Sequence, residues 1–208
     1  MDILYKIGSD PKSNAGRPIL KSDLLGQVFT PAPLAVKMIE NLLLEEIKEA
    51  SYSLLDPCAG PMTFEKAWLS STRSNDKANF TIIEIDSDFE QYFQDYNFLK
   101  SSATFSVLWN NFLTDYKSKK KFDYLIMNPP YIRQEWIDNK FELIEDFDQF
   151  YNVRIPGTSN LYSYFIVKAL NYLKEGGKFS IIVYDSWENT KYGQWLKDFL
   201  LRNTTCLN

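Results

Sequence analysis

The chain reads as a doubly wound, mostly parallel α/β sheet with helices on both faces. Short apolar runs alternate with stretches of helical period along most of its length, the pattern of strand–helix–strand crossovers. Several of those runs end in an acid or an amide, in an order that suits the carboxyl edge of such a sheet, where ligands bind. At 208 residues, with 45% apolar and 24% charged side chains, the chain can bury one good core, with room for a small appendage.

The elements follow in order. Residues 1–25 carry Gly8, Pro11, Gly16 and Pro18 and form an extended lead-in; the domain itself is expected over residues 26–208. Thr30-Pro31 predicts a helix N-cap with proline at the first helical position, and Val36, Ile39, Leu42, Leu43 and Ile47 keep the helical period behind it. Ser53-Leu54-Leu55 is a first strand running into Asp56, and a helix is expected from Thr63 to Ser71. A strand from Phe80 to Ile85 precedes a helix from Phe89 to Phe98, and a third strand covers Thr104 to Leu108. The fourth strand is Phe122 to Met127. A helix from Asn160 to Lys174 is expected to stop at Gly176-Gly177 as a C-cap. Lys178 to Tyr184 is a fifth strand and Tyr192 to Leu201 a last helix. Residues 132–159 are too long for an ordinary connection and form either a functional flap or a partly helical insertion. The acidic cluster within it, and the basic run from Lys117 to Lys121, read as solvated surface.

Composition narrows the chemistry. No stretch is long and apolar enough to span a membrane. Met1 to Asp10 lack the charged-then-apolar pattern of a signal peptide. Two distant cysteines, Cys58 and Cys206, argue against a disulfide framework, so a reducing cytoplasm is expected. The absence of histidine removes Ser-His and Cys-His pairs and histidine-containing zinc sites, and no metal is expected. A net charge of −4 is low for a protein that grips DNA by phosphate neutralisation, so most nucleic-acid affinity should come from elsewhere.

The most specific motif is Asn128-Pro129-Pro130-Tyr131 at the end of the fourth strand. An exocyclic amino group on a heteroaromatic ring is a poor nucleophile because its lone pair is delocalised. Two acceptors aimed at its protons pull the nitrogen toward tetrahedral geometry. The Asn128 side-chain oxygen can be one acceptor and the Pro129 carbonyl the other. Proline brings no N–H, and Pro130 restricts Pro129 to extended conformations, which sets the carbonyl direction. Tyr131 offers a flat face for a base taken out of its stack. Methyl transfer from a sulfonium donor to an amino or amide nitrogen fits this arrangement.

A donor site is spelled out at the other strand ends. Asp56-Pro57-Cys58-Ala59-Gly60 closes the first strand: a carboxylate there can receive an ammonium, and Gly60 lets backbone approach a ligand. Glu84 ends the second strand, where an acid can hold ribose hydroxyls. Asn111-Phe112 follow the third strand and can hold an adenine edge and face. If the first and fourth strands are neighbours, the two constellations share one crevice.

Together these motifs resemble the S-adenosylmethionine-dependent DNA adenine-N6 methyltransferases of restriction–modification systems, of the TaqI-like kind. The resemblance runs from Gly26 to about Arg202 and includes Gly26-Gln27-Val28-Phe29-Thr30-Pro31 upstream of the Asp-Pro motif. It implies a Rossmann-like methyltransferase fold, S-adenosyl-L-methionine as cofactor and duplex DNA with a flipped adenine as substrate. It also implies that Thr30 and Asp56 contact the methionine moiety, Glu84 the ribose, and Asn111 and Phe112 the cofactor's adenine, with Phe29, Cys58 and Gly60 also in the cofactor site. Three departures stand out. Met62 occupies the place of a second glycine, where a side chain could crowd the cofactor; Asn111 replaces a common aspartate; and the last sheet hairpin, a second base-sandwiching aromatic and the target-recognition domain would lie beyond Asn208. A fragment, a truncated product or one piece of a split enzyme is therefore expected. Two competing readings are an RNA adenine or release-factor glutamine methyltransferase, which share the tetrapeptide, and an inactive remnant that only binds a partner.

Overall fold

The computed structural model describes residues 25–43, 51–71, 78–94 and 103–205. The lead-in, Ile47, the end of the helix expected to reach Phe98, and Cys206 lie outside them. Five strands form one parallel sheet in the order β3-β2-β1-β4-β5. They are β1 Tyr52–Asp56, β2 Ala78–Glu84, β3 Thr104–Trp109, β4 Phe122–Met127 and β5 Leu173–Ile181. The chain moves outward from β1 to β3 and then returns to place β4 on the other side of β1, with Leu54 opposite Tyr124 and Leu55 opposite Leu125. That reversal opens a crevice at the carboxyl ends of β1 and β4.

Alternation along the strands builds two cores. Leu54, Phe80, Ile82, Tyr124 and Ile126 pack with α1 (Ala32–Leu42) and α2 (Thr63–Ser70) through Ile39, Leu42, Ala67 and Trp68. Leu55, Ile83, Leu125 and Met127 face the other way. They pack with α4 (Lys140–Tyr151), α5 (Leu161–Leu170) and α6 (Lys191–Asn203) through Ile144, Phe147, Phe165 and Leu196. The short α3 (Glu90–Gln94) follows a 3-10 turn after β2. Asp123 ties the sheet laterally: its carboxylate accepts from the Ser53 backbone N–H at 2.8 Å and from Lys174 Nζ at 2.7 Å. Among the described residues no helix is long and apolar enough to cross a membrane.

The insertion is helical at its centre, one of its two expected forms, and α4 is part of the core. Three details depart from the sequence expectations. Gly176 and Gly177 do not cap a helix: α5 ends at Leu170, and β5 already begins at Leu173, paired with Phe122. The next pair is Lys178 with Tyr124, so the glycines sit in a bulge, with Gly176 at φ +72°. Thr30 makes no capping bond to α1; Pro31 stands at the N-cap, and the Thr30 hydroxyl is engaged by Asn128. Met62 is a core residue. Its backbone is left-handed (φ 59°), and its side chain, 1% exposed, packs under α1 and α2 rather than into the crevice.

Met62→Ala is therefore expected to cost about 2–4 kcal/mol, because the buried side chain is lost while the strained backbone remains. Met62→Gly should cost roughly 1 kcal/mol less, since glycine relieves the left-handed strain. Urea unfolding of both variants checks the order.

Candidate active site

A cleft of about 710 Å³, counting its open mouth, lies over the carboxyl ends of β1, β2 and β4. Phe29, Thr30, Cys58, Gly60, Glu84, Phe112, Asn128 and Pro130 line it. Asp56, Asn111, Pro129 and Tyr131 do not line it and stand behind or beside its walls. Pro61, Phe89, Asn110 and Phe165 line it without a site role having been read for them from the sequence. Apolar residues carry no chemical signature in a sequence, and Asn110 was masked by its neighbour Asn111.

The segment 26–30 is a strap. Its amino end is tied twice: the Gln27 side-chain amide donates to Asp86 Oδ2 beyond β2, at 3.0 Å, and the Gly26 carbonyl accepts from the Tyr131 N–H at 2.9 Å. Further along, Asn128 Nδ2 donates to the Val28 carbonyl at 2.7 Å and to Thr30 Oγ1 at 2.9 Å. A carbonyl can only accept, so these contacts fix which amide atom is nitrogen. Asn128 Oδ1 is left buried and without a partner among the described residues. The Cys58 thiol adds a link from the β1 turn to the Asn128 carbonyl, at 3.4 Å. Burial, with Asp56 and Glu84 nearby, pushes that thiol up, so it stays protonated at neutral pH.

Beside the tetrapeptide, the Tyr131 hydroxyl donates to the Ile182 carbonyl at 3.0 Å, and the Tyr131 ring lies 4.2 Å from that of Tyr184, which is 52% exposed. Tyr184 follows β5 and was read from the sequence only as the end of that strand.

Glu84 is held by two backbone donors, Gly60 N–H on Oε2 and Asp86 N–H on Oε1, each at 2.8 Å. Carboxylate oxygens have further lone pairs, so Glu84 can still accept from hydroxyls in the cleft. Gly60 is left-handed (φ 53°), with no heavy atom within 4 Å of where a Cβ would stand, so a ligand can approach its backbone closely. Asn111 Oδ1 is already used by the Leu113 N–H at 3.0 Å, which leaves its buried Nδ2 as the unpartnered atom. Lys168 pins that turn from below. Its ammonium donates to the Leu113 carbonyl at 2.9 Å and lies 5.1 Å from the centre of the Phe112 ring, and burial lowers its pKa to about 8.

Asp56 and Glu65 are both completely buried. Burial, reinforced by the neighbouring Glu65, pushes the Asp56 carboxyl well up, and burial raises Glu65 to about 7. For an acid whose folded pKa lies above its unfolded one, the folded state binds more protons in between. Stability is then full below pH 4.5 and is lost as pH rises through about 7. That loss is on the order of 3 kcal/mol. Glu65→Gln should flatten this slope in urea unfolding measured from pH 4 to pH 8.

The sheet order and the cleft at its reversal define the class: this is the fold of S-adenosylmethionine-dependent methyltransferases. A Listeria monocytogenes protein assigned to class I of those enzymes superposes with a TM-score of 0.62 at 16% identity, over 86% of this chain and 53% of that one. The methyltransferase subunit of a type I restriction–modification system from Streptococcus thermophilus gives 0.65 at 15% identity, over 87% of this chain and 41% of that one. The chain belongs to the Eco57I restriction-modification methylase family, whose model matches residues 29–208. Among curated relatives, the type II methyltransferase M.AccI of Acinetobacter calcoaceticus is 28% identical over 86% of this chain and 31% of its own length. M.HincII of Haemophilus influenzae is 31% identical over 86% of this chain and 32% of its own length. The chain thus spans about a third of these relatives. A release factor glutamine methyltransferase of Clostridium botulinum is 27% identical over 86% of this chain and 63% of its own length.

Proposed function

We propose that this chain is the catalytic portion of a DNA methyltransferase that methylates the N6 amino group of adenine with S-adenosyl-L-methionine. The observation that carries the reading is the orphaned Asn128 Oδ1. Both amide hydrogens are committed to the Gly26–Thr30 strap, and the oxygen is left buried beside the cleft with no donor among the described residues. Leaving such an acceptor unmatched costs about 1–3 kcal/mol, which binding of an N–H donor would return.

The residues present fit the cofactor. Glu84 offers acceptors for a diol, the open face of Gly60 accommodates close approach, Phe112 and Phe89 give aromatic walls, and the surrounding carboxyl groups favour a cation. Bound S-adenosylmethionine supplies an electrophilic methyl group on a sulfonium centre. The chain's own work is positional. Asn128 Oδ1 and the Pro129 carbonyl accept the two amino protons and localise the nitrogen lone pair. Tyr131 supports the ring plane, its hydroxyl anchored on Ile182 so that the face cannot swing. The surplus proton departs once the new N–C bond exists, when the nitrogen is strongly acidic, so no strong base is required.

The strap favours DNA over the protein acceptor of the glutamine enzymes, because they share the tetrapeptide but generally lack the Gly-Gln-x-Phe-Thr-Pro segment. Transfer of labelled methyl to duplex DNA, RNA and release-factor acceptors separates the readings. The chain would be assayed alone and with a supplied recognition subunit. Label in N6-methyladenine supports the proposal; label confined to glutamine or to RNA overturns it.

A further inference from the structure

The established contacts leave one buried cluster unused. Asp56 closes β1, and Glu65 lies in the first turn of α2, directly after the loop that carries Cys58 and Gly60. Asp56 Oδ1 accepts from the Cys58 N–H at 3.1 Å. The other three oxygens, Asp56 Oδ2 and both of Glu65, are buried with no donor among the described residues. Both carboxyl groups are fully buried in the same core, and each is the other's electrostatic neighbour. Two ionised carboxylates are not held together in a dry core; one carboxyl and one carboxylate are, and a shared proton supplies the donor these oxygens otherwise miss.

The groups facing the pair can be named. The β1–α2 turn contributes the Cys58 thiol, β2 contributes Glu84 with Asp86 behind it, and α2 contributes Lys66, whose ammonium lies over the Tyr92 ring. Helix α1 presents apolar Met38 and Ile39, while its Lys37 and Glu40 are exposed. Negative groups therefore dominate. Cys58 and Glu84 stand between the pair and the cleft, and both line it.

We propose that Asp56 and Glu65 share one proton, and that a cationic ligand entering the cleft expels it to solvent. The carboxyl O–H bond breaks, the pair becomes a dianion, and the ligand's positive charge compensates the added negative one. The inference deepens the cofactor assignment above and rests on it. It also gives the cleft a means of telling a sulfonium donor from its neutral thioether product, since both carry an ammonium but only the donor carries the second positive charge. Glu65 acts here as a positioning and specificity residue, at one remove from the ligand.

The test is titration calorimetry of the whole chain with S-adenosylmethionine and with S-adenosylhomocysteine, in buffers of different ionisation enthalpy between pH 6 and pH 8. About one proton should be released per bound S-adenosylmethionine, and clearly less with the homocysteine product. Glu65→Gln and Asp56→Asn each replace one carboxyl by an amide that still hydrogen-bonds the other, and either should abolish the release. In the ligand-free chain, the infrared band of a protonated carboxyl should be present at neutral pH and vanish in Glu65→Gln. Binding of S-adenosylmethionine with no proton release, or with release unchanged in both variants, overturns the inference and leaves the cofactor reading intact. Failure of the wild-type chain to bind either compound overturns both.

Discussion

Asn128→Ala is expected to lower methyl transfer by about 10²–10³-fold in kcat, the effect of deleting one preorganised polar partner from a reacting centre. Affinity for S-adenosylmethionine should fall too, but by less, because alanine also removes the two Nδ2 bonds to the strap while Gly26 and Gln27 keep their own anchors. Two conservative variants sharpen the test. Asn128→Asp keeps an acceptor but sets a carboxylate 2.7 Å from the Val28 carbonyl, where an N–H now donates. The repulsion should push the strap away and weaken cofactor binding as well as rate. Asn128→Ser keeps a hydroxyl but is too short to reach both partners, and should resemble alanine. Filter binding and single-turnover transfer separate the two effects. If alanine at 128 leaves the single-turnover rate within a few-fold of wild type, the acceptor role is wrong.

Gly26→Ala is expected to be the single-methyl change that most damages the strap. At φ +62° an L side chain is strained, and an added Cβ would stand 2.7 Å from Ile132 Cγ1 and 2.9 Å from the Tyr131 nitrogen. Ile132 is 1% exposed and Tyr131 N–H is bound to Gly26 itself, so neither can retreat cheaply. Strain and overpacking together amount to about 2–4 kcal/mol. The strap should detach rather than compress, releasing Asn128 from Val28 and Thr30. Cofactor affinity should then fall by at least ~30-fold if about 2 kcal/mol of that cost appears in the binding equilibrium. Alanine at Gly157, where the nearest atom is Ile144 Cδ1 at 3.8 Å, is the control and should be nearly neutral. Thermal melts with and without S-adenosylmethionine report both effects; equal stabilisation by ligand in Gly26→Ala and wild type would sink the strap.

Much of the fold was legible in the linear pattern. Leu54-Leu55 and Leu125-Ile126 are adjacent apolar residues that a two-sided sheet sends to opposite cores, and the acid or amide at each strand tip marks the carboxyl edge. The strand boundary at β5 was not legible, because glycine pairs serve helix caps and bulges alike. Only the docking of Leu173 against Phe122 decides between them. Met62 misleads for a related reason: the motif marks a position that tolerates a left-handed backbone, but not the direction in which a side chain placed there will point.

The candidate site divides along the same line. Residue type and order alone specified the tetrapeptide at the tip of β4 and the acids at the ends of β1 and β2, because each is a local chemical signature at a strand end; the strap upstream was marked only by the family resemblance. Which atoms remain available is a tertiary matter. Asn128 Nδ2 is consumed by residues about a hundred positions away, Asp56 lies fully buried behind the cleft wall, and Asn111 spends its oxygen on its own turn. Hydrogen-bond saturation depends on through-space neighbours, so it emerges only when the sheet brings β1, β2 and β4 together.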